Sequence, residues 1–318
     1  MQQLLQSLTS LPYPVQAIIA AMAVLGLWFG SDKVIWGVKR IARKFGISEL
    51  IIGLTIVSIG SSLPEIFVNI SAGLRGADDI GVGNIVGSCF VQGSFILGLC
   101  VLVGGSMGEK KAKIKRDGAM VLGSIVLLFL LGLDGTITTG EALILVLTYC
   151  GYIFHLLVAN RKTWKIQKST SHMFLNFVAF AFGLALVWAS AEVLLTVGIA
   201  AGRDFGLEEG LIGLLSGIGT TIPELSISMM ALLRKSGGIS LGNLMGSNIT
   251  DPLFSLGVGA VLATGYQVSD YLLFTAIPVW FISAVMAMSF LYFGGKITRA
   301  QGAMLMAFYL GAFVFILS

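Results

Sequence analysis

Two carboxylates, Glu65 and Glu224, lie inside apolar stretches and carry the same surroundings. Gly60-Ser-Ser-Leu-Pro-Glu65 returns as Gly219-Thr-Thr-Ile-Pro-Glu224, and Gly83-Asn-Ile-Val-Gly-Ser88 returns as Gly242-Asn-Leu-Met-Gly-Ser247. Both echoes are separated by 159 positions (60 to 219, 83 to 242), so they belong to one duplicated unit. An ionisable side chain at membrane depth is costly and marks a functional site by default. Two of them, duplicated with their context, point to an ion path built from repeats.

The phrases themselves supply ligands. Pro64 and Pro223 fall in mid-span, where proline removes a backbone donor and frees the carbonyl one turn earlier. The flanking Gly60-Ser61-Ser62 and Gly219-Thr220-Thr221 are poor helix formers, and a broken helix is tolerated at that depth where it lines a cavity or is buried in protein. Ser61, Ser62 and Glu65 then share about one turn, as do Thr220, Thr221 and Glu224. In the second phrases, Gly83 to Gly87 and Gly242 to Gly246 have the small-xxx-small spacing that permits close helix approach. Ser88 with Gln92, and Ser247 with Asp251, are four apart and share a helical face. Converged, these groups offer Glu65, Glu224, Asp251, Gln92 and hydroxyls. The set is all oxygen donors, without histidine or cysteine, which suits Ca²⁺ or Na⁺ and disfavours zinc or copper. Three negative charges balance one Ca²⁺ with some excess, or three Na⁺. Two cargoes competing for the same carboxylates is the simplest basis for exchange.

The elements that must hold these groups are membrane helices. Of 318 residues, 56% are hydrophobic and only 11% charged, with a mean hydropathy of +0.93. Soluble domains carry roughly 25% charged residues. The chain reads as an all-α membrane protein of ten transmembrane helices, near 13–37, 47–74, 80–104, 117–133, 139–159, 172–201, 208–233, 239–264, 269–293 and 299–317. The first apolar segment, Val15 to Phe29, has no basic region before it and reads as a retained span. Basic clusters (Lys39 to Lys44, Lys110 to Arg116, Arg161 to Lys168, Arg234 with Lys235, Lys296 with Arg299) follow every odd-numbered span. The alternate loops carry Asp78, Asp79, Asp134, Asp204, Glu208, Glu209 and Asp270. Basic loops face the cytoplasm, so both termini are expected outside. Clusters confined to loops between spans are orientation signals and give no reason to expect nucleic acid as a partner.

A repeat of five helices is odd, so its second copy enters from the opposite side, giving two inverted repeats. The units are expected at 1–159 (motif region 53–99) and 172–318 (motif region 212–258), joined by a short basic loop at 160–171. Gly30-Ser31-Asp32 matches Ala189-Ser190-Ala191, and Phe45-Gly46-Ile47 matches Phe205-Gly206-Leu207. Gly53 and Gly60 enclose one more residue than Gly213 and Gly219, which predicts a kink or bulge in the approach to helix 7.

The four blocks resemble those of the sodium/calcium exchanger branch of the cation/calcium antiporter superfamily, in a form without a regulatory domain. That family's repeats carry a G-[TS]-S-x-P-E segment followed by G-N-x-x-G-S; this chain has GSSLPE and GTTIPE, then GNIVGS and GNLMGS. The resemblance implies alternating access at a central site, with Na⁺ influx driving Ca²⁺ extrusion across the plasma membrane. It also implies an ion-ligand set: Ser58 (through its carbonyl), Ser61, Ser62, Glu65, Ser88 and Gln92, and then Gly217 (carbonyl), Thr220, Thr221, Glu224, Ser247 and Asp251. Three features depart from the family. Gln92 replaces the usual asparagine or aspartate, Pro252 directly follows Asp251, and the deletion before Gly219 displaces Gly217.

The partners expected are Ca²⁺, Na⁺ and the lipid bilayer, with no cofactor and no obligatory protein partner. H⁺-coupled or K⁺-assisted cation antiport on the same architecture is the nearest rival; a cation channel is disfavoured by duplicated inverted halves. No nucleophile and base set suggests an enzyme. The remaining polar residues have plainer readings: Asn84 and Asn243 as caps or packing polars, Asp32 reaching the interface beside Lys33, and Glu192 without an assigned role. His155 and His172 are expected at the interface, and Cys89, Cys100 and Cys150 as packing residues.

Overall fold

The computed structural model describes residues 11–160, 173–204 and 218–317. In chain order the helices are α1 (Tyr13–Phe45), α2 (Glu49–Ser61), α3 (Leu63–Leu74), α4 (Asp78–Gly104), α5 (Lys111–Leu131), α6 (Thr139–Asn160), α7 (Met173–Asp204), α8 (Ile222–Leu233), α9 (Gly237–Thr250), α10 (Leu256–Leu262), α11 (Leu272–Gly294) and α12 (Arg299–Leu317). Among the described residues five helices are long and apolar enough to cross a bilayer: α1, α4, α6, α7 (over Met173–Gly198) and α11. The α2–α3 pair, bent by 46°, makes a sixth if taken as one broken span. Helices α4 and α1 show how these are arranged. The apolar stretch of α4 is 72% buried by its neighbours, that of α1, α6 or α7 only 28%. Helix α4 is therefore central, and α1, α6 and α7 turn Trp28, Phe29, Phe154 and Phe174 outward.

Helix ends differ from the hydropathy reading where charge, not apolarity, continues the helix. Helix α1 runs on to Phe45, so Lys39, Arg40, Arg43 and Lys44 form its last turns instead of a loop. Arg and Lys are good helix formers, and cations favour a helix C-terminus. Gly46 (φ 66°) stops it by taking the left-handed conformation that closes the last turn. Likewise α5 starts at Lys111, so its basic cluster lies within the helix.

The break between α2 and α3 falls at Ser62 (φ −79°, ψ 6°), and Pro64 occupies the first turn of α3. There its missing N–H needs no partner. The second copy repeats this: Thr221 (φ −88°, ψ 3°) precedes α8, with Pro223 in the first turn. Two π-helical segments are also equivalent. Gln92–Ile96 within α4 and Asp251–Ser255 between α9 and α10 start at positions 159 apart. Such bulges reorient the side chain at which they begin and recur at functional sites.

Helices α2 and α9 cross at backbone contact. A methyl group at Gly53 would lie 2.7 Å from the Ile239 carbonyl oxygen, and one at Gly246 would lie 2.6 Å from Ser58 Cβ. The expected small-residue approach is thus present at Gly242 and Gly246. Gly83 and Gly87 make no comparable contact among the described residues. Helices α1 and α7 also cross closely, at Gly30 and Gly183.

Four two-residue strands tie the loops together. Strand β1 (Met107–Gly108) pairs antiparallel with β4 (Lys296–Ile297), and β2 (Thr136–Ile137) with β3 (Tyr266–Gln267). Of the cysteines, Cys89 and Cys100 are buried as expected, but Cys150 is exposed on the outer side of α6. An apolar helix face against lipid holds a cysteine as readily as a core does.

Candidate cation site

The site forms where the two helix breaks face the two π segments. Glu65 and Glu224 both sit in the first turn of a helix, α3 and α8, at the third position after the break. That end of a helix carries partial positive charge, which favours an anion. Both side chains are fully buried. All four of their carboxylate oxygens are buried without a hydrogen-bond partner among the described residues. Ser61 and Ser62 lie beside Glu224, and Thr220 beside Glu65, without closing hydrogen bonds of ordinary geometry. The three carboxylates Glu65, Glu224 and Asp251 are near enough to repel one another.

Around them the two copies interlock by equivalent bonds. Ser61 donates to Asn243 Oδ1 at 3.0 Å, and Asn84 donates to Thr220 Oγ1 at 3.3 Å. Ser61 and Thr220 are equivalent positions, as are Asn243 and Asn84. Ser62 donates to Ser247 at 3.1 Å, while Ser88 and Thr220 hydroxyls meet at 3.4 Å. Every one of these bonds joins a residue of one copy to a residue of the other.

Asp251 differs from the glutamates because protein donors serve it. Gln92 Nε2 donates to Oδ2 at 3.2 Å, the Cys89 thiol approaches the same oxygen at 3.8 Å, and Ser255 donates to Oδ1 at 3.5 Å. Among the described residues no three His, Cys, Asp or Glu side chains gather into a compact metal-binding group.

A sodium/calcium exchanger protein family model matches residues 15–158 and 175–318. The chain belongs to that family. It is 29% identical to the sodium/calcium exchanger MaX1 of Methanosarcina acetivorans, over 94% of this chain and 98% of that one. A solved structure of the sodium-calcium exchanger NCX_Mj, soaked with Na⁺ and Sr²⁺, superposes with a TM-score of 0.83 at 26% identity, covering 94% of this chain and 97% of that one. A shorter match, 30% identical over 41% of this chain and 14% of the relative, is to the sodium/potassium/calcium exchanger Nckx30C of Drosophila melanogaster. The chain is accordingly a multi-pass integral membrane protein of a transporter family, not of an enzyme family.

Within this exchanger fold the sequence-derived ligands fall as follows. Ser61, Ser62, Glu65, Ser88, Gln92, Thr220, Glu224, Ser247 and Asp251 are joined by the contacts described above, and Thr221 is engaged within its own turn. Thr221 donates to the Ile218 carbonyl at 2.7 Å. The Ser58 carbonyl accepts from the Ser62 N–H at 2.9 Å and the Ser61 hydroxyl at 3.3 Å. Gly217 and the approach to helix 7, with the bulge expected there, lie outside the described residues, as do His172, Glu208 and Glu209. Asn84 and Asn243 are packing polars and not helix caps: each bonds a hydroxyl of the opposite copy. Asp32 reaches the surface and pairs with Arg234 at 2.6 Å. Glu192 is exposed. Asn248, readable from the sequence as a structural partner of Asp251, bonds Gln92 instead, and Trp280, which no motif marks, bonds Asn248 behind it. The sequence was silent on Asp117, buried between Arg116 (2.6 Å) and the Tyr152 hydroxyl (3.0 Å).

Proposed function

We propose that this chain exchanges Na⁺ for Ca²⁺ by alternating access to a chamber centred on Glu65 and Glu224. The observation that carries the reading is the set of four carboxylate oxygens, fully buried and without a donor, between hydroxyls contributed by both copies. A buried charged acceptor without a donor is unfavourable by several kcal/mol. A dehydrated hard cation removes that penalty and finds hydroxyl oxygens within reach. One Ca²⁺ neutralises both glutamates, and two Na⁺ do the same, so the cargoes exclude each other. Asp251 supplies a third charge for a further Na⁺.

The architecture proposed is ten transmembrane helices in two inverted repeats, with both termini outside. The bonds between Ser61 and Asn243 and between Thr220 and Asn84 support it, because a two-fold exchange of the repeats carries one into the other. The strand pairs support it too: β1 and β3 hold equivalent positions, as do β2 and β4, so the same exchange turns the β1–β4 pair into the β3–β2 pair. Strands β1 and β4 follow spans expected to end at the basic, cytoplasmic side, and β2 and β3 lie between spans at the acidic side. Each pair therefore ties one copy to the other at one membrane face. The ion-ligand roles of Glu65, Glu224 and Asp251, and of the Ser61, Ser62, Thr220, Ser88 and Ser247 hydroxyls, belong to the same proposal.

The test is uptake of ⁴⁵Ca²⁺ into proteoliposomes loaded with Na⁺, against vesicles carrying a pH gradient without Na⁺ and vesicles loaded with Na⁺ plus K⁺. Uptake that follows the Na⁺ gradient is expected. Uptake that follows pH alone moves the chain to proton coupling, and a requirement for K⁺ moves it to K⁺-assisted exchange.

A further inference from the structure

Asp251 is approached by an amide whose orientation is decided elsewhere. Three bonds run in series through buried side chains. Trp280 Nε1–H donates to Asn248 Oδ1 at 3.2 Å, Asn248 Nδ2–H donates to Gln92 Oε1 at 3.2 Å, and Gln92 Nε2–H donates to Asp251 Oδ2 at 3.2 Å. The indole N–H is a donor and never an acceptor. Asn248 must therefore turn its carbonyl to Trp280 and its amide N–H₂ to Gln92. A second constraint agrees, because Asn248 Nδ2 also donates to the Leu244 carbonyl at 3.0 Å, and a carbonyl can only accept. Gln92 therefore turns its oxygen to the Asn248 N–H₂ and its own N–H₂ to Asp251, whose carboxylate can only accept. Gly93, Leu97, Leu244, Met245, Ala284 and Met288 line the space beside Asn248 with apolar side chains. Trp280 is fully buried and Gln92 equally so.

We infer that Asn248 and Trp280 are positioning residues that lock the Gln92 amide with its N–H₂ on Asp251, so that Gln92 competes with a monovalent cation for that carboxylate and supplies no oxygen to it. The inference rests on the transport reading for the identity of the cargo. It makes the Asp251 position the weak Na⁺ site and leaves Ca²⁺ to Glu65 and Glu224. It also explains why a longer amide is accommodated at position 92: the extra methylene carries the amide from the Asn248 bond across to Asp251.

The experiment is a titration of thermal stability in detergent with Na⁺ alone and with Ca²⁺ alone, for wild type, Gln92→Met and Trp280→Phe. Methionine keeps the volume and removes both donor and acceptor; phenylalanine keeps a ring and removes the indole N–H. A hydrogen bond to a charged group lost from competition corresponds to about tenfold in affinity. Gln92→Met should therefore bind Na⁺ about tenfold more tightly. Trp280→Phe should do so by about threefold, since Leu244 still orients Asn248. The half-saturating Ca²⁺ should move less than twofold in either. Weaker Na⁺ binding by Gln92→Met would make its oxygen a ligand and overturn the inference. Unchanged Na⁺ binding in both variants would overturn it equally, by reducing the series to packing. If Gln92→Met does not fold, Trp280→Phe alone decides between tighter and unchanged binding. Binding is read without transport, so an absence of wild-type Na⁺-driven flux would sink the transport reading while leaving the lock decided by the titration.

Discussion

Neutralising Glu65 should stabilise the ion-free protein while destroying its response to Ca²⁺. Both Glu65 oxygens are buried without a donor, and Glu224 and Asp251 add like charge nearby. An unsatisfied buried polar group costs about 1–3 kcal/mol, and more when charged, so about 2 kcal/mol is a low figure for this side chain. Glu65→Gln removes the charge at nearly constant shape and provides N–H donors beside the Thr220 hydroxyl. Large domains shift by about 2 °C per kcal/mol, so ion-free Glu65→Gln should melt about 4 °C above ion-free wild type. Ca²⁺ at a hundred times its dissociation constant should stabilise the wild type by about 2.7 kcal/mol, or about 5 °C. The variant, lacking half of the glutamate pair, should gain less than about 1 °C under the same conditions. The assay is thermal unfolding in detergent, with chelator and then with Ca²⁺. A variant that melts below the wild type without ions, or that keeps the full Ca²⁺ response, would refute the claim that Glu65 is held in readiness for a cation.

Other expectations follow from the packing and the topology. Gly246→Ala should cost about 1–3 kcal/mol and abolish flux, because a methyl 2.6 Å from Ser58 Cβ pushes α2 away from Asn243 and Ser247; thermal unfolding and ⁴⁵Ca²⁺ uptake read both effects. Single cysteines at Thr136 and Lys296, in a cysteine-free background, should be labelled by an impermeant maleimide from opposite sides of the membrane; labelling from the same side would contradict the inverted arrangement. Arg116→Met should lower stability by roughly 2 kcal/mol, since Asp117 keeps only the Tyr152 hydroxyl, and Tyr152→Phe should lower it less.

The repeated phrases made the two helix breaks readable, because glycine and proline announce a break directly. The alternation of basic and acidic loops likewise reflects a bilayer constraint, visible residue by residue. What stayed hidden depends on three-dimensional pairing. Nothing in a 3.6-residue period shows that π segments begin at Gln92 and Asp251, although Pro252 hinted at a disturbance at the second. Asn84 and Asn243 read as helix-start caps or packing polars because capping is a local property, whereas the partners that make them packing polars lie 136 and 182 positions away. Asn248 and Trp280 carry no motif, and only the fold brings the indole to the amide. The ends of α1 and α5 were misplaced because hydropathy stops at the first lysine while helix propensity does not. The resemblance implies a ligand role for the Ser58 carbonyl but does not show that the Ser62 N–H, at the helix break, also bonds that oxygen.

The central claim is that Glu65 and Glu224 together hold the transported cation. It is tested most directly by Na⁺-gradient-driven ⁴⁵Ca²⁺ uptake in proteoliposomes containing wild type, Glu65→Gln or Glu224→Gln at matched protein density. Uptake by the wild type and its loss in both variants alike are expected. Uptake near wild-type rates in either variant would contradict it.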